Sequence, residues 1–103
     1  MSWMRLTVVT PVRGDASEVS RLLNELEGAT AGLPGFLMGG VFTDSEASDR
    51  VGRFALWSTR DDADKASSGD RVMALRSELH RRIEAGHLES LFEVSGTSHG
   101  LPV

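Results

Sequence analysis

His80 is the strongest candidate for acid-base chemistry in this 103-residue chain. An imidazole titrates near neutral pH, so a histidine that faces a pocket can accept or donate a proton. His80 lies at one edge of the apolar stripe of a predicted helix and could face such a pocket. The alternative is that a histidine beside Arg81 and Arg82, near a helix C-terminus, favours the helix dipole. His87 and His99 are weaker candidates, because one lies at the helix exit and the other in the tail.

Two residues of one predicted strand are candidates for ligand binding. Trp57 could form an aromatic wall on which a planar molecule stacks. Arg53 lies four residues earlier on the same strand face and could hold a carboxylate or a phenolate. The alternatives are core or interface packing for Trp57, and for Arg53 an exposed edge position or an ion pair between subunits.

Phe36, Met38 and Met73 complete the predicted substrate-binding set. Methionine adapts its shape to an apolar ligand, although it more often fills gaps in a core. Phe36 and Met38 are two residues apart on a predicted strand and should therefore share one face, together with Gly40 and Phe42. The space between sheet and helices is then either filled by aromatic and methionine side chains or open with a histidine at its wall.

Several other kinds of site are not expected. The chain has no cysteine, so it cannot form a disulfide, a thiolate nucleophile or a cysteine-ligated metal site. The aspartates Asp61, Asp62 and Asp64 fit the N-terminal dipole of a helix and have no histidine at ligand spacing, so no metal site is predicted. The serines and glycines match neither a hydrolase triad nor a phosphate loop. We therefore expect no cofactor.

Composition and charge narrow the classes of partner. The formal net charge is -4, with acidic residues spread along the chain, whereas binding to nucleic acid needs clustered lysine and arginine. A hydrophobic fraction of 40% with 25% charged residues is typical of one ordered globular domain. The sequence shows neither a secretion signal nor a membrane-spanning run. We expect a cytoplasmic protein that contacts neither nucleic acid nor membrane.

The elements that must position these residues follow a split βαβ order. Strands are predicted at 4–12, 36–43, 51–58 and 88–94, and helices at 16–29, 61–66 and 70–85. Asp15 with Glu18 predicts a capping box, and Asp70 predicts the N-cap of the last helix. The order predicts an α+β, ferredoxin-like βαββαβ fold, with a four-stranded antiparallel sheet and two helices on one face. Residues 1–95 form the predicted domain and 96–103 a flexible tail.

The predicted strands are apolar on both sides. Helices can cover one face of a four-stranded sheet, and the other face should be polar if it meets water. A second copy packed sheet to sheet about a two-fold axis is the simplest cover. The sequence therefore predicts a homodimer.

Three stretches carry a family resemblance: Leu33-Pro34-Gly35-Phe36, the glycine-rich second strand, and Arg53-Phe54-Ala55-Leu56-Trp57-Ser58 with Asp61-Asp62-Ala63 after it. Through them the chain, from about Arg5 to Val94, resembles the antibiotic biosynthesis monooxygenase-like branch of the dimeric α/β-barrel superfamily. The resemblance implies a dimeric barrel with a small-molecule pocket between the sheet and helices of each subunit. In some members it also implies cofactor-independent oxygenation of polycyclic aromatic phenols.

The branch of that family that degrades heme uses an asparagine, a tryptophan and a histidine that this chain lacks at the matching places. The only asparagine is Asn24, on the first helix, and Lys65 and Leu75 stand where the tryptophan and histidine would fall. The quinone-forming branch is associated with tyrosine, and the chain has none. Heme degradation is therefore not expected.

The resemblance implies a cofactor-independent monooxygenase-like protein that binds a small apolar or aromatic molecule. In this hypothesis His80 deprotonates an activated phenol, and the anion reduces O2 while Trp57 and Arg53 orient it. The alternative is a non-catalytic ligand-binding or stress-associated dimer of the same fold. A further alternative is a dimerisation module without an open pocket.

Overall fold

The computed structural model describes residues 1–46 and 49–95. Its elements are β1 (Ser2–Val9), α1 (Ala16–Thr30), β2 (Phe36–Thr43), β3 (Val51–Trp57), α2 (Arg60–Ser67), α3 (Asp70–His80) and β4 (Leu88–Val94). The tail predicted at 96–103, which includes His99, lies outside the described residues.

The four strands form one antiparallel sheet in the order β2-β3-β1-β4. β1 and β3 occupy its centre, and the helices pack on one face. The predicted ferredoxin-like α+β fold is confirmed, with α2 as a third, short helix before α3.

The last helix ends earlier than predicted. α3 stops at His80 rather than near Ala85. Beyond it, Ile83 forms a bridge with Pro11, and the Glu84 N–H donates to the Thr10 carbonyl at 2.8 Å. The chain leaves the helix because these residues bond to the segment that follows β1.

Asp15 is the N-cap residue of α1, as predicted, but its side chain makes no capping hydrogen bond, and the predicted N-cap of α3 is wrong. The Asp15 carboxylate lies 3.6 Å from the Arg82 guanidinium and ties the start of α1 to the end of α3. Gly69 occupies the N-cap position of α3, and Asp70 is the first helical residue. Thr59 caps α2, where its hydroxyl accepts the N–H of the third helical residue at 3.1 Å. Asp15 pairs with a residue that is distant in sequence, and a local sequence motif does not predict such a contact.

The core has two parts between the sheet and the helices. The larger part joins α1 and α3 to the sheet through eight buried aliphatic side chains: Val9, Val19, Leu22, Leu23, Leu26, Val72, Leu79 and Ile83. Each such side chain contributes roughly 1.5–3 kcal/mol when fully buried. The smaller part places Ala63 and Ala66 of α2 with Ala55 and Trp57 of β3. Small residues on α2 let this helix lie close to the indole.

A bulge in β2 separates two residues that were predicted to share a face. The register shifts between Phe36, which is opposite Trp57, and Met38, which is opposite Leu56. Phe36 therefore faces the helices, and its ring meets Trp57 edge-on at 5.5 Å between centroids. Met38 faces the other side of the sheet. The predicted shared face is wrong, because one extra residue in a strand reverses the side-chain alternation.

We call the sheet face away from the helices the open face. It carries Met4, Leu6, Val8, Met38, Phe42, Phe54, Leu56, Leu88, Phe92 and Val94. Met38, Leu88 and Phe92 are 40%, 43% and 41% exposed. The apolar character predicted for both faces is therefore present.

None of the helices within residues 1–46 and 49–95 combines the length and the apolar character needed to cross a membrane.

Candidate functional site

A small cavity lies between the covered face of the sheet and helices α2 and α3. Its apolar wall includes Trp57, Leu26 and Leu79. Its volume is about 30 Å³, room for about two water molecules. The polar lining has three arginines and one carboxylate: Arg5, Arg53, Arg76 and Glu89. Three hydroxyl side chains complete it: Thr7, Thr30 and Ser67.

Arg53 is the most buried charged residue of this cavity, with 6% of its surface exposed. Its Nη2 donates to the Thr30 hydroxyl at 3.0 Å and lies 3.7 Å from Oε1 of Glu27. Its Nε is buried without a hydrogen-bond partner among the described residues. Burial lowers the pKa of Arg53 and the Glu27 charge partly restores it, but guanidinium still stays protonated in proteins. Arg53 is therefore a permanent cation with an unused donor.

The Glu27 carboxylate reaches Arg53 because β2 offers no side chain at Gly39. A Cβ at Gly39 would collide with both carboxylate oxygens of Glu27 and would lie 2.8 Å from the Phe54 carbonyl oxygen. The glycine thus creates the space in which a buried carboxylate balances a buried guanidinium.

Two further guanidinium groups stand at the more exposed side of the cavity. Arg5 lies 3.4 Å from the Ser67 hydroxyl and 3.5 Å from an Asp64 carboxylate oxygen. Burial lowers the pKa of Arg5, and the neighbouring charge of Arg76 lowers it further. Arg76 donates to Oε2 of Glu89 at 3.1 Å. The cavity is thus lined by three guanidinium groups and one carboxylate.

Glu89 connects the cavity to two histidines. Its Oε1 is hydrogen-bonded to Nε2 of His80 and lies 3.3 Å from Nε2 of His87. Burial alone would raise the pKa of Glu89, but His80 and Arg76 outweigh it and hold that pKa below its usual range. Glu89 is therefore a carboxylate at neutral pH.

The structure brings some of the predicted site residues together and separates others. Arg53 and Trp57 line the cavity, and Phe36 supports the Trp57 ring. Met38 lies on the open face, and Met73 is 52% exposed on α3. Neither methionine is placed to line this cavity.

The structure places His80 next to the cavity rather than in its wall. This histidine reaches the space through Glu89, which does line it. Its catalytic role therefore stays a prediction, now one that acts through a carboxylate.

Sequence reasoning missed Arg5, Arg76, Glu89 and the Glu27 partner of Arg53. A usable signal was present for two of them, because Arg5 and Glu89 occupy strand positions on the same face as residues that face the helices. A charge at such a position is unusual unless it is paired or functional. The contact of Glu27 with Arg53 joins a helix to a strand and carries no local signal.

Neither a family model nor a curated protein matches the chain. Solved structures match its fold closely. SnoaB from Streptomyces nogalater, a cofactor-independent oxygenase, is 16% identical and superposes with a TM-score of 0.79 over 93% of this chain and 95% of its own. Rv0793 from Mycobacterium tuberculosis is 10% identical, with a TM-score of 0.86 over 96% of this chain and 100% of its own. An antibiotic biosynthesis monooxygenase is 15% identical, with a TM-score of 0.79 over 91% and 99%.

These likenesses establish the fold of the chain. It has the antibiotic biosynthesis monooxygenase-like fold that the sequence resemblance predicted.

Proposed function

We propose that this chain binds a small aromatic or apolar molecule with an acidic oxygen in the cavity, and that it oxygenates this molecule without a cofactor. The observation that carries the proposal is the placement of three guanidinium groups beside the Trp57 indole in one partly apolar space. The likeness in fold to SnoaB, a cofactor-independent oxygenase, supports the second half.

Charge favours an anionic ligand. Arg5, Arg53 and Arg76 face the cavity, and each pairs with a carboxylate: Arg53 with Glu27, Arg76 with Glu89, and Arg5 with the more exposed Asp64. Arginine cannot lose its proton to relieve the repulsion, so an entering phenolate or carboxylate would relieve it. The buried Nε of Arg53 supplies an unused donor. A ring attached to the anion would lie against Trp57.

Size restricts how such a ligand enters. A cavity of about 30 Å³ is one-fifth of the ~150 Å³ of an apolar cavity known to hold benzene. Ring binding therefore requires an outward shift of α2, which covers Trp57 with the short side chains of Ala63 and Ala66. The acidic oxygen would occupy the existing space beside Arg53.

The proposed reaction converts an activated methylene group of a phenolic substrate to a carbonyl. A C–H proton passes to Glu89 and on to His80, which is exposed to solvent. The carbanion gives its electrons to O2 and a C–O bond forms, the resulting peroxide anion takes the proton back from His80, and the hydroperoxide loses its remaining C–H proton and hydroxide as water. The sum is CH2 + O2 → C=O + H2O, with the substrate as reductant. Arg5 and Arg53 would stabilise the anion as it forms.

A second candidate is the binding of a small anion without turnover. The present cavity volume favours it, because a carboxylate fits where a polycyclic molecule does not. Oxygen consumption separates the two candidates.

The experiment combines oxygen uptake with binding, using a panel of anthrones and quinols and matched aromatic compounds without an acidic oxygen. We expect Arg53→Met to weaken binding of the acidic compounds at least about tenfold, the loss of one charge-assisted hydrogen bond. Arg53→Met leaves the Glu27 carboxylate without its ion-pair partner, so the double variant Glu27→Gln/Arg53→Met controls for an effect on folding. Arg71→Met, which removes an exposed arginine of α3, should bind like the wild type.

Equal binding of acidic and neutral compounds, or no effect in the double variant, would contradict the anion site. Binding without oxygen uptake across the panel would favour the second candidate.

We also propose that a second copy of the chain covers the open face, as the sequence predicted. An antiparallel sheet that meets water on one side normally alternates apolar and polar faces, whereas here both faces are apolar. The exposed Met38, Leu88 and Phe92 would be buried in such a dimer. The cytoplasmic location stays a prediction.

A further inference from the structure

We propose that His80, His87 and Glu89 bind one divalent transition-metal ion of the zinc class. Nε2 or Nδ1 of each histidine and a carboxylate oxygen of Glu89 all lie within 4.8 Å of one another. Two imidazoles and one carboxylate form a three-ligand set used by zinc sites that keep an open position for water.

The distances suit such an ion. Nε2 of His87 lies 3.3 Å from Oε1 of Glu89, and two ligands about 2.0 Å from a tetrahedral ion are themselves about 3.3 Å apart. His80 now bonds directly to the same Oε1. The ring centroids of His80 and His87 are 5.2 Å apart. A small rotation of the His80 ring would break its hydrogen bond to Glu89 and make room for the ion between the three side chains.

The backbone positions the ligands before any ion binds. His80 ends α3, Glu89 belongs to β4, and His87 follows Gly86 in the connection between them. Gly86 has φ +89°, which a residue with a side chain rarely adopts, and it turns the chain so that His87 lies beside His80. The Ile83–Pro11 bridge holds this connection against the segment after β1.

Arg76 fixes the carboxylate. Its guanidinium donates to Oε2 of Glu89 at 3.1 Å, and the other carboxylate oxygen, Oε1, contacts the two histidines. Partners of this kind orient metal ligands, and losing one typically costs 10–100-fold in affinity.

The ligand types select the ion. Imidazole nitrogen suits Zn²⁺, Co²⁺, Ni²⁺ and Cu²⁺, whereas Mg²⁺ prefers oxygen ligands. Both histidines are exposed, so water can complete the coordination. Magnesium is therefore the natural negative control.

The site would also affect the proposed reaction. An ion on His80 withdraws that imidazole from proton transfer, so zinc should inhibit oxygen uptake. This consequence rests on the proposed function, but binding of the ion does not.

Calorimetric titration of the untagged full chain with Zn²⁺, without substrate, tests the site. We expect one ion per chain, an affinity at least about 100-fold weaker in His87→Ala or Glu89→Gln, and no comparable binding of Mg²⁺. His99→Ala and Glu93→Gln are matched controls that should retain the wild-type affinity. Loading with Co²⁺ should give a visible absorption spectrum that His87→Ala loses.

Less than one zinc per chain, wild-type affinity in His87→Ala, or an equal loss in His99→Ala would overturn the site. Zinc that binds only by linking chains, seen as a rise in scattering mass, would overturn it as well. Because these titrations contain no substrate, a failure of oxygen uptake leaves their outcome unaffected.

Discussion

The two faces of the sheet differ in where their charged side chains lie. The covered face is largely apolar, with Val9 and Trp57 in the core, but it also places three charged side chains under the helices: Arg5, Arg53 and Glu89. The open face presents apolar side chains to its surroundings, among them Leu6 and Phe54 at its centre. In most proteins charged side chains are exposed to water and large apolar side chains are buried.

The difference indicates what each face is built to contact. Buried polar groups are costly without a hydrogen-bond partner, so the unpartnered Nε of Arg53 on the covered face favours a ligand with an anionic group. Exposed apolar area is costly unless covered, so the open face favours a second copy of the chain. We expect chemistry on one face and assembly on the other, and the following variants test that division.

The largest effect is expected from Phe54→Asp at the centre of the open face. In a dimer this substitution buries an unpaired carboxylate in each subunit, at a cost of several kcal/mol. The dimer should weaken by roughly 1,000-fold or more. Sedimentation or light-scattering mass measures the change, and circular dichroism checks that the monomer stays folded.

Met73→Asp is the matched control, because Met73 is exposed on α3 and lies away from the open face. It should leave the mass unchanged. A wild-type chain that is monomeric at micromolar concentration would remove the assembly role of the open face.

The next effect is expected from Glu27→Gln, which leaves Arg53 buried without its counter-charge. Removing one partner of a buried ion pair costs about 3 kcal/mol or more, and denaturant unfolding should show that loss. Glu25→Gln on the same helix changes only exposed pairs and should cost under about 0.5 kcal/mol. Equal losses in the two variants would show that the covered face does not depend on pairing.

Two adjacent glycines of β2 compare the faces directly. Gly39→Ala, on the covered face, would place a methyl group 2.8 Å from the Phe54 carbonyl oxygen and against Glu27. We expect a loss of about 1–3 kcal/mol, because backbone must move. Gly40→Ala, on the open face, meets the edge of the Phe54 ring at 3.2 Å, and a ring can shift, so its cost should stay under about 1 kcal/mol. Thermal unfolding of both variants measures the contrast, and the reverse order would contradict the assigned faces.

The smallest effect is expected from Glu78→Gln on the surface of α3. Hydrogen bonds from Arg82 and then Arg81 hold the pKa of Glu78 below its ordinary value of 4.5. A lowered folded-state pKa stabilises the protein above 4.5, and that stability is lost as the pH falls through the folded pKa. The variant should be less stable than the wild type at pH 7, and the difference should vanish under acid.

Stability measured against pH, at low and high salt, tests this expectation. Salt should shrink the difference at pH 7, because the pair is at the surface. A difference that persists unchanged at low pH would show that packing rather than charge holds Glu78.

Most of the fold could be predicted from local pattern. β2 and β4 have the predicted bounds, since runs of apolar residues between turn signals define strands without help from the rest of the chain. The prediction failed where distant contacts compete, at the early end of α3 and in the capping of α1. At the end of α3, Ile83 bridges to Pro11; at the start of α1 the predicted bound is right, but Asp15 pairs with Arg82 and makes no capping hydrogen bond.

The site was predicted less completely. Arg53 and Trp57 stand on one strand face at fixed alternation, so their shared location followed from spacing alone. Met38 was misplaced because the bulge after Phe36 reverses the alternation, and its neighbours in sequence do not signal the bulge. The two histidines and Glu89 converge only because a helix end, a glycine turn and a strand meet.

The sequence by itself determined the order of strands and helices, the apolar side chains on both sheet faces and the shared strand face of Arg53 and Trp57. These follow from periodicity, which depends on near neighbours. Only the tertiary structure decided which charges meet, as in the contacts of Glu27 with Arg53 and of Glu89 with His80 and His87. Such contacts join residues from different elements, and their energies depend on burial and distance that exist only once the chain has folded.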